Sequence, residues 1–134
     1  MLENYCKVLH IEALTLIEMM NRQVIPAISE YTDRLCTALS HKRALNINAD
    51  ESADREIIAR LSAAGSEIYK LTGDLKMAVS SAEKIADMLE KATAYHDIVL
   101  KLMTDIRKYA DSSEAVVSMD VWPYPSYGEL LFSI

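Results

Sequence analysis

The chain is poor in the residues that build most catalytic and secreted proteins. Its 134 residues include two cysteines, three histidines, three glycines and three prolines. So few glycines leave no material for a phosphate-cradling loop, and no nucleophile elbow or paired-cysteine motif occurs. Cys6 and Cys36 fall on what reads as one long helix, about 45 Å apart at helical rise. They cannot bridge within it. Two free buried thiols fit a reducing compartment, so a cytoplasmic location is expected. No run of about 18 apolar residues is present, and no charged segment followed by an apolar one opens the chain, so neither a membrane span nor a secretory signal is predicted. Basic charge is also scarce. Fourteen lysines and arginines face twenty acids, giving a net charge of −6. The two signs are interleaved, which argues against a face for nucleic acid.

What remains is helix-forming. Apolar residues make up 51% of the chain, and alanine, leucine, isoleucine, methionine, glutamate and lysine dominate. From about Leu2 to Leu45 apolar residues recur every three or four positions: Leu2, Tyr5, Leu9, Ala13, Leu16, Met20, Val24, Ile28, Tyr31, Leu35 and Leu39. That is one face of a helix. Pro26 removes a backbone donor, so a kink is expected near Arg22–Ile25. The pattern is in force from Leu2 with no Ser, Thr, Asp or Asn before it, which predicts that the chain lies inside a longer polypeptide.

A polar turn over Asn46–Ser52 follows, with Asn48 and Glu51 at capping-box spacing. A second helix is predicted over 51–90, its face carrying Ala53, Ile57, Leu61, Ala64, Ile68, Leu71, Leu75, Val79, Ala82, Ile85 and Leu89. Gly65 and Gly73 inside it each cost about 1 kcal/mol against alanine, which suggests close approach of a neighbouring helix. Thr93 is the expected cap of a third helix over 93–119, with Tyr95, Val99, Leu102, Ile106, Tyr109, Val116 and Met119 inward. Short connections predict a long antiparallel all-α three-helix bundle. Trp122-Pro123-Tyr124-Pro125 breaks the texture, because closely spaced prolines force extended backbone. Ser126 and Glu129 then have capping-box spacing, and Tyr127–Phe132 reads as a short terminal helical turn.

The search for chemistry finds little. None of His10, His41 and His96 pairs with another at the i, i+4 spacing of a helical zinc site. Glu-x-x-His motifs are absent, and the carboxylates read as solvated partners of lysine and arginine, as in Glu30–Arg34 and Asp87–Lys91. His10 and His96 lie near the same end of the expected bundle, but no motif supports a metal or acid–base pair there. No catalytic, cofactor-binding or metal residue is therefore assigned. The methionines Met19, Met20, Met77, Met88 and Met103 read as core filler rather than an adaptable surface. The structural and interaction candidates are Pro26, Trp122, Pro123, Tyr124, Pro125, Tyr127, Leu131 and Phe132.

The tail Trp122-Pro123-Tyr124-Pro125-Ser126-Tyr127-Gly128-Glu129-Leu130-Leu131-Phe132 resembles the closing signature of type III glutamine synthetases. Glu3-Asn4-Tyr5, Ile11-Glu12-Ala13 and Pro26-Ala27 are similar to the helix that follows the catalytic domain in that family. The resemblance covers both ends of the chain. It implies a non-catalytic C-terminal region with a structural, subunit-packing or regulatory role. It also implies a parent enzyme that joins glutamate and ammonia with ATP and Mg, in a homo-oligomer. The implied partners are the parent's catalytic domain and neighbouring subunits. Two other readings compete: a stand-alone helical docking module, and a bundle enzyme or metal carrier, for which the inward carboxylates and histidines are missing. Long amphipathic helices lacking a partner domain are expected to self-associate.

Overall fold

The computed structural model describes residues 1–125. These residues are all helix and connection, with no strand among them. Five α-helical segments, α1 (Leu2–Met19), α2 (Ile25–Ala44), α3 (Ser52–Glu83), α4 (Met88–Ala94) and α5 (Leu100–Glu114), join into three continuous helical runs. A π-turn over Met20–Val24 links α1 to α2, and a second over Tyr95–Val99 links α4 to α5.

The first π-turn explains how a helix of this length tolerates Pro26. A proline ring clashes with the carbonyl four residues back and offers that carbonyl no N–H. One wider turn immediately upstream gives it room. There the Ile25 N–H reaches past the usual acceptor to the Met20 carbonyl, and Pro26 falls in the first turn of α2, where a missing donor costs least. The apolar stripe continues without a break. Leu16, Met20, Val24 and Ile28 are all buried.

The first run ends with Asn46 in the left-handed region (φ 52°), a conformation that asparagine tolerates better than most residues. The turn that follows is tied down by charge. Lys42 Nζ lies 2.7 Å from Asp54, and Arg43 and Arg55 both bind Glu51. The expected Asn48–Glu51 box does not form. Asp50 instead accepts from the Ser52 N–H at 2.9 Å, an Asx turn that starts α3.

The second and third runs differ from the sequence expectation in their bounds. The second ends at Glu83, not at residue 90, and the third begins at Met88, not Thr93. Asp87 is the cap: its backbone is extended and its carboxylate accepts from the Glu90 N–H at 3.0 Å. Asp87 and Glu90 have capping-box spacing, a signal the periodicity had masked. Thr93 spends its hydroxyl inside the helix, donating to the Leu89 carbonyl. Leu89 is 64% exposed because the second run has already ended. The third run stops at Glu114 rather than Met119, and Met119 is exposed.

The core runs the length of the three runs. Cys6, Leu9, Ala13, Leu16, Met20, Val24 and Ile28 meet Leu61, Ile68, Leu75, Val79 and Ala82 of α3, and Tyr95, Val99, Met103 and Ile106 of the third run. Past the second π-turn the buried positions are Met103, Ile106, Ala110, Ser113 and Val117. Ile106 is inward as expected, while Met103, Ala110 and Val117 stand in the places expected of Leu102, Tyr109 and Val116. Of the methionines, Met20 and Met103 fill core and Met77 is 72% exposed.

Pairings across the runs fix which parts face each other. His10 lies beside Glu83, Ile28 beside Gly65, and Lys42 beside Asp54. Arg60 reaches Ser112 at 3.3 Å, while Glu67 and Leu71 share a depression with Asp105 and Lys108.

Candidate functional site

Three places have more structure than a bundle surface needs. The first is the Trp-Pro-Tyr-Pro segment. After α5 the chain turns at Ser118, whose carbonyl accepts from the N–H groups of Val121 and Trp122, both at 3.0 Å. Trp122 and Tyr124 meet edge to face, with centroids 6.5 Å apart and planes at 76°, a favoured aromatic geometry. Both are half-buried and pack on the core; Pro123 and Pro125 are exposed. Two polar anchors fasten the segment to the first run. Asp120 binds Arg34 at 3.1 Å, and the Tyr124 hydroxyl donates to Gln23 within the first π-turn. Hydrogen bonding from Ser118, and then Arg34, holds Asp120 below the usual carboxylate range. Burial pushes the Tyr124 phenol up. Arg34 thus serves Asp120 and not the Glu30 expected of it.

Pro26 is exposed at the start of α2, close in sequence to Gln23, so the candidates Pro26, Trp122 and Tyr124 belong to one neighbourhood. Tyr127, Leu131, Phe132 and the terminal helical turn lie outside the described residues.

The second place is an ionisable cluster. His10 Nδ1 of α1 lies 3.1 Å from the Tyr95 hydroxyl and 3.5 Å from Glu83 at the end of α3. Lys91 of α4 binds the other Glu83 oxygen at 2.9 Å. It chooses Glu83 over the expected Asp87, which is occupied as a cap. His96, the partner suggested for His10 from sequence, points elsewhere and pairs with Asp97. Tyr95, one residue earlier and fully buried, takes its place. A cavity of about 290 Å³ adjoins the cluster, lined by Cys6, Lys7, His10, Glu83, Met88 and Lys91. Cys6 and His10 are four residues apart, so their shared face was legible in the sequence. Among the described residues, however, no three His, Cys, Asp or Glu side chains converge as a metal set.

The electrostatics of this cluster are those of a clamp. The Lys91 hydrogen bond, helped by Tyr95 and the His10 charge, holds Glu83 below the usual carboxylate range. Burial, and then the hydrogen bond to Glu83, pushes the Tyr95 phenol well up. The carboxylate is thereby a weaker base and the phenol a weaker acid. The cluster ties α1, α3 and the third run together at one end.

The third place is an apolar groove of about 600 Å³ between α2 and α3, lined by Ile25, Ile28, Thr32, Cys36, Leu61 and Tyr69. Cys36 is exposed there, contrary to the expectation of two buried thiols; only Cys6 is buried. The groove exists where Gly65 brings α3 close to Ile28, and Cys36 lies about two helical turns beyond that contact.

Residues 1–43 match the family model of the glutamine synthetase C-terminal domain. The whole chain is 33% identical over 134 residues to a glutamine synthetase of Butyrivibrio fibrisolvens, an alignment covering 100% of this chain and 19% of that relative. It is 31% identical over 136 residues to a glutamine synthetase of Bacteroides fragilis (strain YCH46), covering 98% of this chain and 19% of that relative. The chain therefore spans about a fifth of the length of the curated relatives it matches.

Proposed function

We propose that this chain is the non-catalytic C-terminal helical region of a type III glutamine synthetase, with a structural and subunit-packing role. The observation that carries the reading is an alignment running through all 134 residues to one fifth of a much longer ligase. The cluster at His10 adds support, because its contacts tie α1, α3 and the third run together. In this reading the parent enzyme joins glutamate and ammonia with ATP and Mg in the cytoplasm, as a homo-oligomer. In this reading Mg and ATP belong to the parent enzyme's catalytic domain and not to this chain.

The finer architecture belongs to the same proposal. The three runs form a long antiparallel bundle, supported by the pairings of residue 10 with 83, 28 with 65 and 42 with 54. The first run bends at its π-turn beside Pro26, and Trp122–Pro125 straps the bundle across that point through Gln23 and Arg34.

The test is the size of the native polypeptide. An antibody against the Trp122–Ile134 peptide is applied to fractionated lysate of the source cell. A product about five times longer than this chain, co-fractionating with glutamine synthetase activity in a large assembly, is expected. A native product of about 134 residues overturns the reading. It would leave a stand-alone docking module in front, with the groove between α2 and α3 as its binding face.

A further inference from the structure

A second apolar face on α1 carries a more specific inference. The core side of this helix presents Cys6, Leu9, Ala13, Leu16 and Ile17, which is all that three-run packing requires. The opposite side presents Val8, Ile11 and Leu14, exposed by 45, 64 and 48%. Positions 8, 11 and 14 follow each other at three-residue steps and lie on neighbouring strips of the outer surface. Exposed Lys7 and Glu18 border this strip, as polar residues border an interface. On the outer surface of α3, by contrast, Tyr69 and Met77 are scattered among exposed Arg55, Glu56, Lys70, Asp74 and Lys76.

The face reaches the third run at Met88, which lines the cavity beside the clamp together with Ile11. Val8, Ile11 and Leu14 of α1 thus adjoin Met88 of α4, while Leu89 and Ile98 line a separate depression on the far side of α4. Isolated exposed apolar residues are ordinary; a strip of them along one helix marks an interface.

We propose that this face docks on the polypeptide preceding Leu2 in the longer ligase, so that α1 is sandwiched between its own bundle and the upstream domain. The proposal rests on the reading given above, since the occupant is the four fifths of the relatives' length that this chain lacks. The clamp of His10, Glu83, Lys91 and Tyr95 then has a purpose. It locks α1, α3 and α4 into the one surface presented to the upstream domain.

The test uses the native full-length protein. Benzoylphenylalanine replaces Ile11, and photo-cross-linked peptides are mapped by mass spectrometry. Hydroxyl-radical labelling is read in parallel on the unsubstituted protein. With labelling scaled to each side chain's intrinsic reactivity, Val8, Ile11 and Leu14 should be at least tenfold more protected than Met77 and Tyr69, which are exposed in this chain at 72 and 68%. A cross-link to a peptide upstream of Leu2 supports the proposal. A cross-link only to the same face of a second copy or to an unrelated protein overturns it, as does equal labelling of the two sets. A native polypeptide of the present length overturns both readings, because the occupant does not exist. A long polypeptide with an unprotected Ile11 face overturns the docking alone.

Discussion

Gly65 and Gly73 lie on the same helix, eight residues apart, and the structure predicts different outcomes when each becomes alanine. A glycine in a helix interior costs about 1 kcal/mol against alanine, largely through the entropy its unfolded chain gives up. Neither glycine needs a positive φ, so that penalty is recoverable at both sites unless something occupies the space. At Gly73 a Cβ meets nothing within 4 Å. Gly73→Ala is expected to gain the full amount, about 1 kcal/mol, or about 3 to 5 °C in Tm for a chain of this size. At Gly65 a Cβ would sit 3.3 Å from Cγ2 of Ile28. Ile28 is buried between α2 and α3 and must give by a few tenths of an ångström, which erodes the gain. Gly65→Ala is therefore expected to fall within about 0.5 kcal/mol of neutral. Urea unfolding followed by helical circular dichroism reads both. The reasoning is refuted if Gly65→Ala stabilises as much as Gly73→Ala, or if Gly73→Ala destabilises.

Three further outcomes follow from single contacts. Thr72 is buried and its hydroxyl has no partner, so Thr72→Val should stabilise by about 1 kcal/mol in the same urea assay; a loss would show that the hydroxyl is satisfied. Trp122→Ala removes half-buried aromatic packing and should cost about 2 kcal/mol, whereas Tyr124→Phe, which removes only the bond to Gln23, should cost under about 1 kcal/mol; equal effects would refute the strap as packing. Glu51 is held at about 2, below its ordinary 4.5, by its hydrogen bond from Arg43 and then from Arg55. Since the folded value is the lower one, the stability this contributes is full above pH 4.5 and is lost as pH falls towards 2. Carboxyl NMR should place the folded Glu51 midpoint near 2, and Arg43→Ala should raise it; a midpoint near 4.5 in the unsubstituted protein would refute the pairing.

The helices and most of their inward faces were legible in the residues because amphipathic spacing is a local property. Leu9, Ala13, Leu16, Met20, Val24, Leu61, Ile68, Leu75 and Val79 all stand where a 3.6-residue period puts them. That period also reads straight through Lys84–Asp87, where no glycine or proline announces the turn. The Asp87 cap was available in the spacing to Glu90, but it was overridden by the continuing apolar pattern. The resemblance to glutamine synthetases was likewise present in the order of residues at the two ends, since family signatures are linear.

Other features had no linear sign. The second π-turn carries no proline, and nothing in the order of residues marks it. Tyr95 rather than His96 meets His10 because Tyr95 lies on the buried side of the third run. Asp120 takes Arg34 and Glu83 takes Lys91, each pairing made across helices and not along one. The sequence alone determined that this protein is a set of long amphipathic helices, because burial periodicity is written residue by residue. Only the tertiary structure decided which polar groups meet and which apolar face of α1 stays uncovered, because both depend on how separate helices are rotated against each other.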